Sequence, residues 1–297
     1  MSDSTGSQPT QVPPTCYRHP DRETYIRCTR CERPICPDCM REAPVGFQCP
    51  ECVQQAARTT KVGRTVAGGR VHGDPVLVTK VLLAVNVVLF LAQQVMGGSF
   101  TQRFWLMGAP VAAGEWWRLI SSAFLHVSVT HLLFNMMALW LVGGAIEPRL
   151  GRSRYLTVYL VSALAGSVLS YAVDPIFSPS VGASGAVFGL FGAFFVLALR
   201  LRMDVRGVIA IIAINLVIGF IPGTGINWRA HVGGLIAGTI LTAVMVYAPQ
   251  AKRVAASVAA TVAIVAVCVG LTVWRTNEIQ SCVDAPQLTS KCSSLIQ

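Results

Sequence analysis

The sequence is poor in charge. Asp, Glu, Lys and Arg make up 13% of its 297 residues, about half the usual share in a soluble domain, which excludes an ordinary water-soluble globule of this length. No apolar run follows Met1, so a cleaved signal peptide is not expected. No HExxH is present, which excludes a zinc peptidase of that type. Between residues 75 and 250 the only aspartates are Asp174 and Asp204, which excludes a pair of buried aspartates in facing helices. Neither is expected to orient a catalytic group. Interrupted repeat halves, the mark of many transporters, are also missing.

What is abundant is apolar sequence. Hydrophobic residues account for 53% of the chain and the mean hydropathy is +0.55. From residue 76 onward, runs near twenty residues long recur, which predicts an all-α polytopic membrane protein. The expected spans are 76–96, 118–144, 154–173, 183–201, 205–221, 229–248 and 254–274. Between the first two, Gly97 to Trp117 is apolar in patches but broken by Gly and Pro. Non-helical backbone at membrane depth needs protein around it, so this segment is expected to lie half-embedded.

The formal charge of +10 comes largely from Lys and Arg in short loops. Arg149, Arg152, Arg154, Arg200, Arg202, Arg206, Lys252 and Arg253 fall in alternate loops, whereas the opposite set holds Arg103, Arg118 and Arg229. This is an orientation signal rather than a nucleic-acid patch. It predicts a cytoplasmic N-terminus and an outer C-terminus; the expected location is the plasma membrane.

Residues 1–15 lack apolar periodicity and read as a disordered tail. Residues 16–52 hold seven of the ten cysteines. Their spacing is Cys16-x2-His19, Cys28-x2-Cys31, Cys36-x2-Cys39 and Cys49-x2-Cys52. Four such pairs supply eight ligands, enough for two tetrahedral zinc ions with no position left for a reactive water. A disulfide framework is the alternative, disfavoured by a reducing cytoplasm. The order of pairs resembles a B-box-type zinc finger. That resemblance implies that Cys16, His19, Cys36 and Cys39 share one ion and Cys28, Cys31, Cys49 and Cys52 the other; a sequential grouping stays open. Such a small unit folds on its metal, and it reads as a module for a cytoplasmic partner. Residues 53–75 form a basic linker. Cys268 reads as packing. Cys282 and Cys292, beyond the last span, are a disulfide or two free thiols.

Polar groups within hydrocarbon ask for a reason. Gly182-Ala183-Ser184-Gly185 opens the fourth span, and His231 stands about a turn inside the sixth, followed by Gly234 and Gly238. Each stretch has a plain packing explanation. The predicted topology, however, puts Ser184 and His231 at similar depth on the outer side, and a serine needs a nearby base to become a nucleophile. His131 and Asn135 lie four apart on one face of a third span that enters from the same side, the arrangement that two oxyanion donors require.

Together with Trp117-Arg118 in the embedded segment and Phe124-Leu125-His126, these stretches resemble the rhomboid intramembrane serine proteases across residues 76–248. The resemblance implies a six-span core with a Ser184–His231 dyad that needs no cofactor. It also implies oxyanion stabilisation by His131 and Asn135, and structural support from His126, Trp117, Arg118, Gly182, Gly185, Gly234 and Gly238. Glu147, Arg149 and Gly151 resemble an architectural cluster of that family. Phe188 stands where many members place Tyr, so a ring can still pack on His231 while a phenolic hydrogen bond is lost. Residues 249–297 add a seventh span and an outer tail. Single-span membrane proteins in the bilayer are the implied substrates. The substrate's identity, the oligomeric state and the purpose of the head are not written in the sequence.

Overall fold

The structure, a computed structural model, describes residues 13–59, 63, 65–69, 73–221 and 225–284. It divides into two units, residues 1–62 and 63–297.

The first unit has almost no apolar core apart from its cysteines. Cys16, Cys28, Ile35, Cys36, Cys39, Cys49 and Cys52 are its buried residues of apolar type. A 3-10 turn at Pro37–Cys39 is followed by strands β1 (Arg41–Glu42) and β2 (Phe47–Gln48), paired antiparallel, and by helix α1 (Pro50–Thr59). Helix α1 carries Cys52 and runs into the stretch expected to be linker. Ordered backbone begins before Cys16, since Thr15 pairs with Glu23 and Thr24 N–H donates to Pro14 O at 2.9 Å. The rest of the expected disordered tail lies outside the described residues.

The second unit is helical. Helix α2 (Leu77–Met96) is followed by α3 (Gly98–Phe104), α4 (Gly108–Ala112), α5 (Arg118–Ser121), α6 (Val129–Leu150), α7 (Arg152–Val173), α8 (Ser184–Arg200), α9 (Arg206–Gly219), α10 (Trp228–Tyr247) and α11 (Arg253–Asp284). Helices α2, α6, α7, α10 and α11 are long and apolar enough to cross a membrane, and α8 and α9 are shorter apolar helices. The chain is thus an all-α polytopic membrane protein with a six-helix core and one added C-terminal helix.

The second expected span starts later than its hydropathy implied. Residues 118–124 form α5 and a 3-10 turn, and the spanning helix begins only at Val129. The cause is local: Ser128 Oγ accepts the His131 N–H at 3.1 Å and caps α6, while Arg118 draws the preceding residues into the embedded segment. Arg118 is buried, forms an ion pair with Glu115, and donates to the carbonyls of Gln102 (2.7 Å) and Trp105 (3.0 Å). Ser121 Oγ donates to Phe104 O at 2.8 Å. Irregular backbone is kept at this depth because side chains take up its carbonyls.

Helix α2 starts on a carboxylate from a distant helix. Buried Glu147 accepts the backbone N–H of Val78 and of Thr79, each at 2.8 Å, and the Thr79 hydroxyl at 2.8 Å. It therefore takes donors that α2 cannot satisfy itself. Residues 65–69, placed in the expected linker, pack on the turn between α6 and α7: Thr65 Oγ1 donates to Leu150 O and Ala67 N–H to Arg149 O.

Helices α7, α8 and α10 form the centre, meeting largely through small residues. A Cβ added at Gly166 of α7 would lie 2.6 Å from Ala230 O and 3.4 Å from Gly185 Cα. One added at Gly234 or Gly238 of α10 would overlap the backbone of Gly185 or Gly189 of α8. Around this contact lie Tyr155, Tyr159, Leu190, Leu197, Leu241 and Met245, all buried.

Replacing Glu147 by Ala leaves two buried N–H groups without an acceptor. We expect a loss of about 2 kcal/mol or more, read as a fall in the thermal midpoint of the detergent-purified protein, with Glu147→Gln less affected. An unchanged midpoint would contradict this account of how α2 begins.

Candidate active site and metal clusters

In the helical unit, Ser184 is the first residue of α8, and the loop before it is anchored on both sides. Ser180 and Leu106 exchange backbone hydrogen bonds at 2.9 and 3.0 Å, and Gly182 N–H donates to Ser122 O at 3.0 Å. Gly182 adopts φ +135°, a conformation that side chains disfavour. A Cβ there would also lie 2.8 Å from His131 Cε1, 3.0 Å from His131 Nε2 and 3.7 Å from Ser184 Oγ. The glycine is needed twice, for its backbone angle and for the His131 ring beside Ser184.

His231, in the first turn of α10, is buried and stacks flat on Phe188, with ring centroids 4.0 Å apart and planes 10° from parallel. Phe188 lies one helical turn after Ser184, so the imidazole sits beside the start of α8. Its Nδ1 is buried without a partner among the described residues, and no hydrogen bond joins the ring to Ser184 there. Catalytic hydrogen bonds in a free enzyme often close only when substrate binds.

Of the two expected oxyanion donors, His131 is at the site and Asn135 is turned partly away. The Asn135 Nδ2 donates to His131 O at 2.9 Å, within their own helix, which leaves one amide N–H uncommitted. His126 packs edge-on against His131 with centroids 5.1 Å apart. Both ring nitrogens of His126 are buried without partners among the described residues, so its backbone, rather than its ring, makes the hydrogen bonds seen there. Gln93 of α2 accepts the His126 N–H at 2.9 Å and donates to His126 O at 3.2 Å and to Thr101 Oγ1 at 3.1 Å. Trp117 is partly exposed, and the Arg103 guanidinium lies 4.7 Å over its ring.

Gln93 and Glu115 are contributors that the sequence reading missed. An amide in an otherwise apolar span is a signal for the first. Glu115 carried none, because its importance depends on Arg118 being buried.

The first unit holds two clusters of metal-ligating side chains: Cys16, His19, Cys36 and Cys39, and separately Cys28, Cys31, Cys49 and Cys52. Within each, the ligand atoms all lie within 4.8 Å of one another. This is the interleaved grouping. A tetrahedral zinc site has S···S edges of about 3.8 Å and slightly shorter S···N edges. Here Cys31 Sγ and Cys49 Sγ are 3.8 Å apart, and His19 Nδ1 is 3.2 to 3.8 Å from its three sulfurs. The donor sets therefore fit a metal ion in each cluster.

The electrostatics agree with that fit. Burial pushes the Cys16 thiol up, but N–H groups of Arg18, Cys36 and His19 hold it down at about 6. Burial likewise opposes ionisation of Cys28, and N–H groups of Cys49, Arg30 and Cys31 bring it to about 6. Burial and neighbouring thiols push Cys39 up to about 11 and Cys52 up to about 12. A cation is the group that lets all the sulfurs of a cluster ionise together. Arg33 adds to this around the second cluster, donating to Cys31 Sγ at 3.3 Å and Cys49 Sγ at 3.7 Å.

Elsewhere, Cys268 is free and buried, as expected of a packing residue, and Cys282 is disulfide-bonded. Cys292 lies outside the described residues.

Metal analysis of the purified chain should find about two ions, released on acidification as the thiolates reprotonate and lost from one cluster in Cys52→Ser. A head that stays folded without metal would refute this. In the helical unit, Gly234→Val should force α8 and α10 apart and lower stability by about 1–3 kcal/mol or more. Gly270→Val, which meets nothing within 4 Å, should leave the thermal midpoint unchanged.

Comparison with known proteins converges on one family. Residues 113–248 match the model described as the Rhomboid domain. The chain is 39% identical over 184 residues to Rhomboid protease GluP of Bacillus subtilis (strain 168), covering 59% of this chain and 36% of the relative. It is 41% identical over 138 residues to YdcA of the same organism, provisionally named a rhomboid protease, covering 44% of this chain and 68% of the relative. RHOMBOID-like protein 5 of Arabidopsis thaliana is 38% identical over 148 residues, 47% of each chain. The chain thus spans between about a third and two thirds of the curated relatives it matches. An aligned identity near 40% that takes in most of one such relative, together with the helical core already described, establishes that the chain belongs to the rhomboid family.

Proposed function

We propose that the protein is an intramembrane serine endopeptidase that cleaves single-span membrane proteins at the outer edge of their transmembrane segments. Ser184 is the nucleophile and His231 its base. The observation that carries this reading is the convergence at the start of α8. There the Gly182–Ser184 turn abuts the His131 ring, and the imidazole of His231 stacks on Phe188 one turn further along.

In this mechanism a substrate helix unwinds near the Ser184 end of the bundle, which helix-breaking residues in the substrate make easier. Ser184 Oγ attacks the exposed carbonyl carbon as His231 accepts its proton through Nε2. The charge that develops on the carbonyl oxygen is met by the Ser184 N–H, His131 and the free N–H of Asn135. His231 then returns the proton to the leaving amine, and water hydrolyses the acyl-enzyme by the same route. The unpartnered His231 Nδ1 supports a dyad without a third acid. Phe188 holds the ring by stacking, in place of a hydrogen bond.

Loop charge supports a cytoplasmic N-terminus and an outer C-terminus, and the plasma membrane is the location that goes with this reading. On that topology the two clusters of the head hold structural zinc in the cytoplasm, where reduced thiols persist, and serve a cytoplasmic partner.

The test is cleavage of a reporter single-span protein in proteoliposomes. Ser184→Ala and His231→Ala should each lower turnover by at least about a thousandfold. His131→Ala should lower it by roughly a hundredfold. Cleavage at the wild-type rate by either dyad mutant would exclude the assignment.

A further inference from the structure

Asp174 is not expected from the sequence to orient His231, and it makes no hydrogen bond to that ring among the described residues. Yet it sits at the centre of a polar cluster that fixes the backbone on which His231 stands. Asp174 follows the last residue of α7. Its Oδ1 pairs with Arg229 Nη1 at 2.9 Å, and its Oδ2 accepts Asn227 Nδ2 at 2.7 Å and the Ser170 hydroxyl.

Asn227 is the cap of α10, and its Oδ1 accepts the Ala230 N–H at 3.1 Å, one residue before His231. The same Asn227 amide reaches Ser170 Oγ at 2.7 Å and, at 3.3 Å, Ser180 Oγ in the loop that leads to Ser184. The Asn227 amide, held by the Asp174 carboxylate, therefore connects the start of the helix that bears the base with the loop that bears the nucleophile.

The added helix closes this cluster from outside the six-helix core. At 32 residues, α11 is about 48 Å long, well beyond a hydrocarbon core of about 30 Å, and its far end carries polar groups that face the protein. Arg275, buried, donates to Asp174 O at 3.1 Å and pairs with Glu278 at 2.9 Å. Thr276 Oγ1 is 2.8 Å from the Tyr171 hydroxyl, and Gln280 donates to Ala112 O of the embedded segment at 3.2 Å. Ile279 and Cys268 fill the apolar contact with Leu106, Val111 and Leu119.

We infer that Asp174 is a positioning residue for the base. It fixes the Asn227 cap, so that α10 enters with His231 in register with Ser184, and α11 holds Asp174 in place through Arg275. The inference rests on the Ser184–His231 reading. Its physical basis is that displacing a catalytic group by about 1 Å costs roughly a hundredfold in rate, and that a helix start held only by its own cap frays readily.

The test uses the full chain in proteoliposomes with the single-span reporter, together with hydrogen exchange of the backbone amides of residues 227–233. Asp174→Asn and Asn227→Asp should each lower kcat by about ten- to a hundredfold with KM within about twofold. Exchange over the first turn of α10 should become faster in both. The double variant, in which carboxylate and amide change places, should recover both readouts, because a carboxylate at position 227 still caps Ala230 and the amide at position 174 then donates to it. Arg275→Ala should show the same pattern more weakly. Unchanged exchange in both single variants, or a double variant no better than either, would overturn the inference. If Asp174→Asn does not fold, Asn227→Asp and the double variant decide it. Undiminished cleavage by Ser184→Ala would instead sink the dyad reading, and the exchange measurement would still decide whether Asp174 orders the start of α10.

Discussion

The structure depends on three helices touching backbone to backbone. Gly166 of α7, Gly189 of α8, and Gly233, Gly234 and Gly238 of α10 leave no room for a Cβ at their contacts, and one at Gly185 of α8 would be tight against Ala230 O at 3.2 Å. Within a bilayer, lipid is as apolar as leucine, so helices associate through close packing and interhelical hydrogen bonds rather than through water expulsion. The proposed nucleophile precedes Gly185 by one residue, and the proposed base precedes Gly234 by three. Their separation is therefore set by glycine contacts, without relying on a direct bond between the two side chains.

A second regularity is where polar groups are spent. They gather at helix ends, and in several cases the partner comes from a distant helix. Glu147 of α6 starts α2, Asp174 after α7 steadies the cap of α10, and Gln93 of α2 holds the backbone of His126. An unsatisfied N–H in hydrocarbon costs several kcal/mol, so each helix that ends inside the protein needs such a partner. The same groups that complete the hydrogen bonding also set the orientation of the helices, which is why positioning and stability are hard to separate here.

The head solves a different problem. Its core is made of cysteines, with Ile35 as a buried aliphatic side chain among them. A metal ion in each cluster would replace hydrophobic burial as the source of order, and Arg33 donates to two sulfurs of one cluster. That chemistry is independent of the bilayer, in keeping with a division of the chain at residues 62 and 63.

Much of this was legible in the residues themselves. Hydropathy located the helices, because roughly twenty apolar residues in a row have few other solutions. The Cys-x2-Cys and Cys-x2-His pairs named the ligands, because one ion demands short local spacing. The glycines around Ser184 and His231 pointed to close helix contact. Other features followed only from tertiary structure. The true start of α6, the choice of the interleaved over the sequential ligand grouping, and the roles of Glu115, Gln93 and Asp174 all depend on residues far apart in the chain. A sequence specifies local periodicity and chemistry, and these determined the family, the spans and the candidate groups. Which carbonyl or carboxylate a buried donor meets is decided by how the helices cross, and only the folded bundle holds that information.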